Sequence, residues 1–81
     1  MNVKIKILGL PEVPPAEENL ELAGQTLGEL REILFEKYPQ LAPLEGTLLA
    51  FVNRKAVRGD WKEVALNDDD SLLFVVPISG G

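Results

Sequence analysis

Residues 72–81 read LLFVVPISGG, an apolar run followed by a proline and a short tail that ends in two glycines. A near-continuous apolar run of this length predicts a strand, from Leu72 to Val76, that is buried inside a sheet. Pro77 has no N–H group to donate to a neighbouring strand, so we expect the strand to end there. Residues 77–81 are then predicted to leave the folded domain as an extended, flexible C-terminal tail.

Shorter strand patterns lie upstream of this run. Residues 3–7 alternate β-branched and basic side chains, which is the period of a half-buried strand. The other predicted strands are residues 20–22, residues 48–53 and residues 56–57. Arg54 and Lys55 are predicted to form the tight turn between the last two of these strands.

One amphipathic helix is predicted in the middle of the chain. Thr26 and Glu29 have the spacing of a capping box, which marks a helix start. Apolar side chains follow at positions 27, 30, 33, 34 and 38, and this spacing places them on one helical face. Pro39 disfavours helical geometry at Tyr38, so the helix should run from about Leu27 to Lys37.

The order of these elements predicts an α+β fold with two layers. One helix would pack across a mixed sheet, and the first and last strands would pair in parallel at its centre. The chain has 81 residues, which is the size of one small domain, and no linker or repeat divides it. We therefore expect a single domain over residues 1–81, with residues 77–81 as its tail.

The composition excludes several classes of function. The chain contains neither cysteine nor histidine, so the usual nucleophile and general-base pairs cannot form and no thiolate metal site exists. Thirteen acidic and eight basic residues give a net charge of −5, which disfavours binding to nucleic acid or to an anionic membrane. Lys4 and Lys6 interrupt the early hydrophobic segment, so no secretory signal is predicted and we expect a cytoplasmic protein.

Two segments carry a resemblance to a known family. Residues 48–53, LLAFVN, and residues 72–81, LLFVVPISGG, resemble the MoaD/ThiS family of ubiquitin-like sulfur carriers. The similarity extends over essentially the whole chain, and the Pro-x-Ser-Gly-Gly end is its most specific part. It is closest to the MoaD branch, the small subunits of molybdopterin synthase, although residues 58–61 are more similar to the ThiS branch. The resemblance implies the ubiquitin-like β-grasp fold.

The chain departs from the family pattern at two places. A proline-rich loop at residues 11–15 replaces a segment that commonly contains arginine. Asp69 stands where the family usually has glycine. Neither departure affects the tail.

The resemblance also implies a chemistry for the tail. In this family an ATP-dependent, MoeB/ThiF-type enzyme adenylates the terminal carboxylate, and sulfur from a persulfide-bearing donor protein displaces AMP to give a thiocarboxylate. Gly81 would carry the reacting group, and the segment that threads into the partner would be Pro77, Ile78, Ser79 and Gly80. ATP and magnesium would belong to the activating partner, so this chain is expected to bind no cofactor. In the MoaD role, the loaded tail would then enter a MoaE-type large subunit.

A patch on the sheet is the predicted docking surface for these partners. Strand alternation places Leu73 and Val75 on the face opposite Phe74. If residues 3, 5 and 7 face the helix, Leu8 points away from it, and Phe51 would join the same outer side. Leu8, Phe51, Leu73 and Val75 are therefore predicted to bind the partner, although a core position under a loop is an equal alternative for Phe51.

Other polar and aromatic residues have simpler interpretations. Asp68, Asp69 and Asp70 lack the pattern of a calcium loop and are predicted to form a solvated turn rather than a metal site. Trp61 is left without an assigned role: it could anchor an interface, although a lone tryptophan in a small domain is more often partly buried against the core. Four basic residues could contact acidic groups on a partner, although solvated side chains are the ordinary explanation. These four are Arg54, Lys55, Arg58 and Lys62.

Three function classes remain open at this point. The sulfur could go to molybdopterin, a tungsten cofactor, thiazole or another thio-product. An activated Gly81 could instead form an isopeptide bond with a lysine, which would make the chain a protein modifier. A plain ubiquitin-like scaffold would not depend on the tail at all. The oligomeric state of the free chain is open as well.

Overall fold

The computed structural model describes residues 1–10 and 16–77, so the predicted tail residues Ile78, Ser79, Gly80 and Gly81 lie outside it. The elements are β1 (Asn2–Leu8), β2 (Glu18–Glu21), α1 (Leu27–Lys37), β3 (Leu49–Val52), β4 (Lys55–Ala56) and β5 (Ser71–Val75). Two short 3₁₀ helices, Pro39–Leu44 and Trp61–Glu63, lie in the connections. The described strands form one five-stranded sheet in the order β2-β1-β5-β3-β4.

The parallel pairing predicted for the first and last strands is confirmed. β1 and β5 are neighbours at the centre of the sheet, with Ile5 opposite Leu72 and Ile7 opposite Phe74. The other pairs, β1 with β2, β3 with β5 and β3 with β4, are antiparallel. The sheet is therefore mixed, and its central strand β5 has partners on both edges.

The core lies between one face of this sheet and the helix. Alternate residues of β1 and β5 point to that face, and they are almost fully buried together with three leucines of α1. We call it the inner face. Its buried sheet residues are Val3, Ile5, Ile7, Ala50, Leu72 and Phe74, and the helix leucines packed with them are Leu27, Leu30 and Leu34. This arrangement confirms the predicted α+β class.

The helix has the predicted bounds because both of its ends are chemically marked. Thr26 has an extended backbone, and its hydroxyl accepts a hydrogen bond from the Glu29 N–H at 3.2 Å. The Glu29 carboxylate reaches back to the Gln25 N–H and to the Thr26 hydroxyl, rather than to the Thr26 N–H of the usual capping box. At the other end, Tyr38 precedes a proline and leaves the helical conformation.

The turn predicted at Arg54 and Lys55 is wrong by one residue. Val52 pairs with Lys55, so the turn consists of Asn53 and Arg54, and the returning strand is Lys55–Ala56. Both turn residues have positive φ, 50° at Asn53 and 72° at Arg54, as a tight hairpin turn requires. Asparagine tolerates this left-handed conformation better than most residues, which is why the turn begins there.

Asn53 also ties the hairpin to the turn before β5. Its side chain donates to the buried Asp70 carboxylate at 2.9 Å and accepts from the Ser71 N–H at 2.9 Å. Asp70 accepts a second hydrogen bond, from the Asn67 N–H at 2.8 Å, so its buried charge is satisfied. Asp69, where the family usually has glycine, has a φ of 69°. Aspartate is among the residues that tolerate this conformation best.

The second strand also differs from the prediction. It begins at Glu18 and ends at Glu21, whereas residues 20–22 were expected. Its position is set by pairing with β1, where Glu18 lies opposite Ile5 and Leu20 opposite Val3. Only Leu20 points an apolar side chain to the inner face, so the alternation in this segment is too short to define its limits.

Candidate functional site

The face of the sheet away from the helix carries a contiguous set of apolar side chains, which we call the outer patch. In the strand register Leu8 and Leu49 both lie opposite Val75, and Phe51 lies opposite Leu73. Residues directly opposite one another on neighbouring strands project to the same side. The outer patch therefore consists of Leu8, Leu49, Phe51, Leu73 and Val75.

The four residues predicted to bind a partner thus lie together on one face. Leu8, Phe51, Leu73 and Val75 are all half-buried, and none belongs to the buried core cluster. For Phe51 the position outside the core cluster argues against the alternative of a core residue. Whether these four residues bind a partner stays a prediction.

Sequence reasoning missed one member of the patch, Leu49. Its side chain is 50% exposed, the largest exposure of any large hydrophobic residue in the described part of the chain. Leu49 is two residues before Phe51, so strand alternation already placed both on one face. That signal was sufficient to add Leu49 to the patch.

A groove of about 380 Å³ begins at the patch and is bordered by positive charge. Leu8, Phe51 and Leu73 line it together with the basic side chains of Lys6 and Arg54. Within the described residues neither of these two cations forms a salt bridge. Glu17 is the acidic residue of the groove. The outer side of this acidic protein therefore combines apolar surface with unpaired positive charge.

The last described residues place the root of the tail beside the patch. Val76 follows β5 directly, is buried, and donates its N–H to the Leu8 carbonyl at 2.8 Å. Pro77 comes next and is exposed. Since Leu8 and Val75 are patch residues, Val76 and Pro77 lie at the border of the patch. Of the predicted tail residues, Pro77 alone falls within the described part of the chain.

The acidic turn, residues 68–70, forms hydrogen bonds with the first strand. Asp68 accepts a hydrogen bond from the Asn2 N–H at 2.7 Å, and the Asp69 N–H donates to the Asn2 carbonyl at 2.7 Å. Among residues 1–10 and 16–77 no cluster of acidic side chains has the arrangement of a metal site. In the same ranges, no helix is long and apolar enough to cross a membrane.

Trp61 packs within the fold. It is half-buried, its ring centroid lies 6.0 Å from that of Phe74, and the Arg31 guanidinium lies 5.3 Å from its centroid. Arg31 also forms a salt bridge with Glu45 at 3.6 Å. These contacts give Trp61 a packing role next to the core.

The titratable side chains with shifted pKa values lie away from the outer patch. Lys37 at the helix end donates to Glu18 on β2 at 3.0 Å, and the Tyr38 hydroxyl donates to the same carboxylate at 3.2 Å. The hydrogen bond from Lys37 lowers the pKa of Glu18, and the same contact raises the pKa of Lys37. Burial raises the pKa of Tyr38, and the Glu18 charge adds to this effect. The cluster joins the end of α1 to β2, and none of its three residues lines the groove beside the outer patch.

One helix on a mixed five-stranded sheet, with the last strand central and leading out past an apolar face, is the architecture of the small ubiquitin-like β-grasp proteins. The model of the ThiS family matches residues 9–81, and the chain belongs to this family. No curated protein matches the chain by sequence.

Solved structures give the same class. A chain in the complex of subunits 1 and 2 of molybdopterin-converting factor from Helicobacter pylori 26695 is 25% identical, with a TM-score of 0.69 and full coverage (100%) of both chains. Small archaeal modifier protein 1 from Methanosarcina acetivorans is 26% identical, with a TM-score of 0.73 over 99% of this chain and 96% of that one. Its counterpart from Haloferax volcanii is 22% identical, with a TM-score of 0.71 and coverage of 100% of both chains, and supports the fold alone. The chain is thus a small ubiquitin-like protein similar to both sulfur carriers and modifiers.

Proposed function

We propose that the chain is a sulfur carrier whose Gly81 carboxylate is adenylated and converted to a thiocarboxylate. The observation that carries the proposal is the position of the tail root, since the exposed Pro77 lies two residues after strand β5 at the border of the outer patch. A partner that covers the patch would receive the tail in the same encounter. Membership of the ThiS family over residues 9–81 supports the same role.

The chemistry uses the main chain, because the sequence contains no cysteine and no histidine with which to build the usual nucleophile and base pairs. A carboxylate is a poor electrophile until one of its oxygens becomes part of a leaving group. In the MoeB/ThiF-type partner, an oxygen of the Gly81 carboxylate attacks the α-phosphorus of ATP, which forms the acyl-adenylate and releases pyrophosphate. The terminal sulfur of a donor persulfide then attacks the carbonyl carbon, and AMP leaves. A thiol of the donor protein cleaves the new S–S bond, which leaves the thiocarboxylate here and a disulfide on the donor.

The outer patch would hold the carrier on its partners during these steps. Half-buried Leu73 and Val75 at the centre of the sheet still have apolar surface to lose from water, which favours association. Lys6 and Arg54 beside them would match carboxylates at the rim of the partner surface, which speeds the encounter more than it tightens the complex. The same face would serve successive partners in turn.

Within this role we favour the small subunit of molybdopterin synthase. The support is the likeness to a chain in the molybdopterin-converting factor complex, at 25% identity over the full length of both chains. A MoaE-type large subunit would accept the loaded tail. Sulfur would pass to the pterin precursor, and water would attack the Gly81 carbonyl carbon and break its bond to sulfur, which restores the carboxylate. Sulfur transfer to thiazole or another thio-product uses the same carrier chemistry.

Protein modification is the second candidate function. The observation that favours it is the likeness to small archaeal modifier protein 1, at 26% identity and a TM-score of 0.73. Both functions share the acyl-adenylate. They differ in the nucleophile that resolves it, which is sulfur in one case and a lysine amine of another protein in the other.

Intact-protein mass spectrometry tests the primary proposal. Wild type, a variant that lacks Gly81 and a variant with one added residue would each be incubated with the adenylating enzyme, ATP and a persulfide donor. Deletion shortens the reach by about 3.5 Å, and an error of even about 1 Å can cost on the order of a hundredfold in rate. Only the wild type should exchange one oxygen for sulfur.

Thermal unfolding of the same proteins is the control. All of them should unfold at similar temperatures, because a residue beyond Pro77 contributes little to the core. Sulfur gain by the extended variant at the wild-type rate would refute the role of Gly81. Higher-mass conjugates in cells, lost when Gly81 is deleted, would instead support the modifier function.

A further inference from the structure

The end of β1 makes an unusually close contact with the root of the tail. Gly9 follows β1 directly and has a φ of +92°, a conformation that favours glycine. A Cβ atom added to Gly9 would meet the backbone of Val76, at 3.3 Å from its carbonyl carbon and closer still to its carbonyl oxygen. Any side chain at position 9 would therefore push against Val76.

Val76 cannot easily move away from a side chain at position 9. Its nearest atom is the backbone carbonyl oxygen, in contrast to Gly24, where an added Cβ would meet only atoms of the Glu29 side chain. Val76 is also held on two other sides, because its N–H donates to the Leu8 carbonyl at 2.8 Å and its side chain is buried at 9% exposure. A side chain at position 9 would have to displace the strand end itself.

A displacement at Val76 would pass directly into the tail. Pro77 has a fixed φ, and it restricts Val76 to extended conformations, so the Val76-Pro77 pair is a stiff link. Pro77 is the first residue of the tail, so it would move together with Val76. A displacement at Val76 therefore changes the point from which the tail must reach the partner.

The same contact fixes this starting point relative to the docking surface. Leu8 and Val75, which precede Gly9 and Val76 in the chain, lie opposite one another in the outer patch. The partner would hold the carrier by that patch and receive the tail, which begins two residues after Val75. The position of the tail root relative to the patch is thus set where Gly9 contacts Val76.

We propose that Gly9 is a positioning residue: the absence of a side chain there aims the tail from the docked outer patch into the active site of the adenylating partner. This inference rests on the proposed function, since it concerns the delivery of Gly81. It assigns a role in the reaction to a residue far from the tail in sequence. Gly9 itself touches no reacting atom.

The chain offers a matched control at Gly59. Its φ is +89°, nearly the value of Gly9, but an added Cβ would meet nothing within 4 Å. Gly59→Ala therefore introduces the same backbone strain without the contact to Val76. The experiment measures ATP–pyrophosphate exchange by the adenylating enzyme as a function of carrier concentration, for wild type, Gly9→Ala and Gly59→Ala, at a temperature where all three are folded.

For Gly9→Ala we expect kcat to fall by about tenfold or more while KM stays within about twofold, because docking is retained and delivery is lost. Gly59→Ala should match the wild type in both parameters. If Gly9→Ala does not fold, Gly9→Asn replaces it, since asparagine tolerates positive φ but still brings a Cβ against Val76. Equal kcat values for the position 9 and position 59 variants would overturn the inference while the proposed function stands. No exchange with wild type would overturn both.

Discussion

The two faces of strand β5 are built from nearly the same residue types and have different environments. Leu72 and Phe74 point to the inner face and are 3% and 0% exposed. Leu73 and Val75 alternate with them, point to the outer face and are half-buried. The difference arises because α1 covers one face, while no helix of the described chain covers the other.

This contrast separates two uses of apolar surface. Burial on folding stabilises the protein by about 25 cal/mol for each Å² removed from water, so the inner face contributes most to stability. Apolar area left on the outer face contributes less to folding and is available for association with a partner. One strand thus serves the core with one set of side chains and the proposed docking surface with the other.

The largest effect is expected on the inner face. Phe74→Ala should lower the free energy of unfolding by about 3–5 kcal/mol, because it leaves a cavity between β5, α1 and Trp61. Leu73→Ala, its neighbour on the outer face, should cost about 1 kcal/mol. Urea unfolding followed by circular dichroism measures both values.

Equal destabilisation by Phe74→Ala and Leu73→Ala would show that the two faces of β5 contribute equally to the free energy of unfolding. The stability of a small domain is about 5–15 kcal/mol in total, so Phe74→Ala removes a large fraction of it. A largely unfolded Phe74→Ala protein beside a folded Leu73→Ala protein would show the same difference.

An intermediate effect is expected on the outer face, and on binding rather than on folding. Val75→Asp should weaken the complex with the adenylating enzyme or the large subunit by more than about tenfold, because a carboxylate would lose its water without gaining a partner. Its thermal midpoint should stay close to that of the wild type. Titration calorimetry measures the dissociation constant of the complex, and thermal unfolding measures the midpoint.

Leu49→Asp extends this test to the patch residue that the sequence prediction omitted. Since Leu49 is 50% exposed, its replacement should leave stability unchanged and weaken binding if the partner covers the whole patch. Val75→Thr keeps the shape of the side chain and should bind better than Val75→Asp. A strong loss of stability in Val75→Asp would instead place Val75 in the core.

The smallest effect on stability is expected where Lys37, at the end of α1, pairs with Glu18 of β2. Both side chains are more than two-fifths exposed, at 44% and 43%, so the pair should contribute less than about 0.5 kcal/mol. The lowered pKa of Glu18 means that the unfolded chain binds its proton more tightly than the folded chain does. The contribution is therefore present above the normal pKa of the carboxyl group, 4.5, and disappears as the pH falls through the lower folded value.

Unfolding of wild type and Glu18→Gln at pH 6.5 and at pH values below about 4 measures this contribution by difference. The free energy of unfolding should be slightly larger for the wild type than for Glu18→Gln, and this difference should shrink in acid and in high salt. If the wild type is still more stable than Glu18→Gln at low pH, the difference does not come from the charge of Glu18. The hydrogen bond from Tyr38, which also donates to Glu18, would then be stronger in the wild type than in the variant.

Local patterns in the sequence determined much of the architecture. The helix from Leu27 to Lys37 was predictable because the Thr26 cap and Pro39 act within a few residues of its ends. The apolar run that begins at Leu72 indicated an interior strand, since apolar residues on both faces are typical of strands inside a sheet. Strand alternation then divided Leu73 and Val75 from Phe74, and family resemblance added the role of Gly81.

Tertiary structure decided the features that depend on residues distant in the chain. Asn53 suits the positive φ of the hairpin turn by its own chemistry. Its side-chain hydrogen bonds to Asp70 and to the Ser71 N–H, however, tie the turn to the start of β5, and no local pattern includes these partners. β2 has its observed limits because β1 supplies its hydrogen bonds. The contact between Gly9 and Val76 exists only because β1 and β5 run in parallel side by side, so that their ends meet. Such long-range packing places Val76 and Pro77, the root of the tail, at the border of the outer patch, and no local sequence pattern reveals this position.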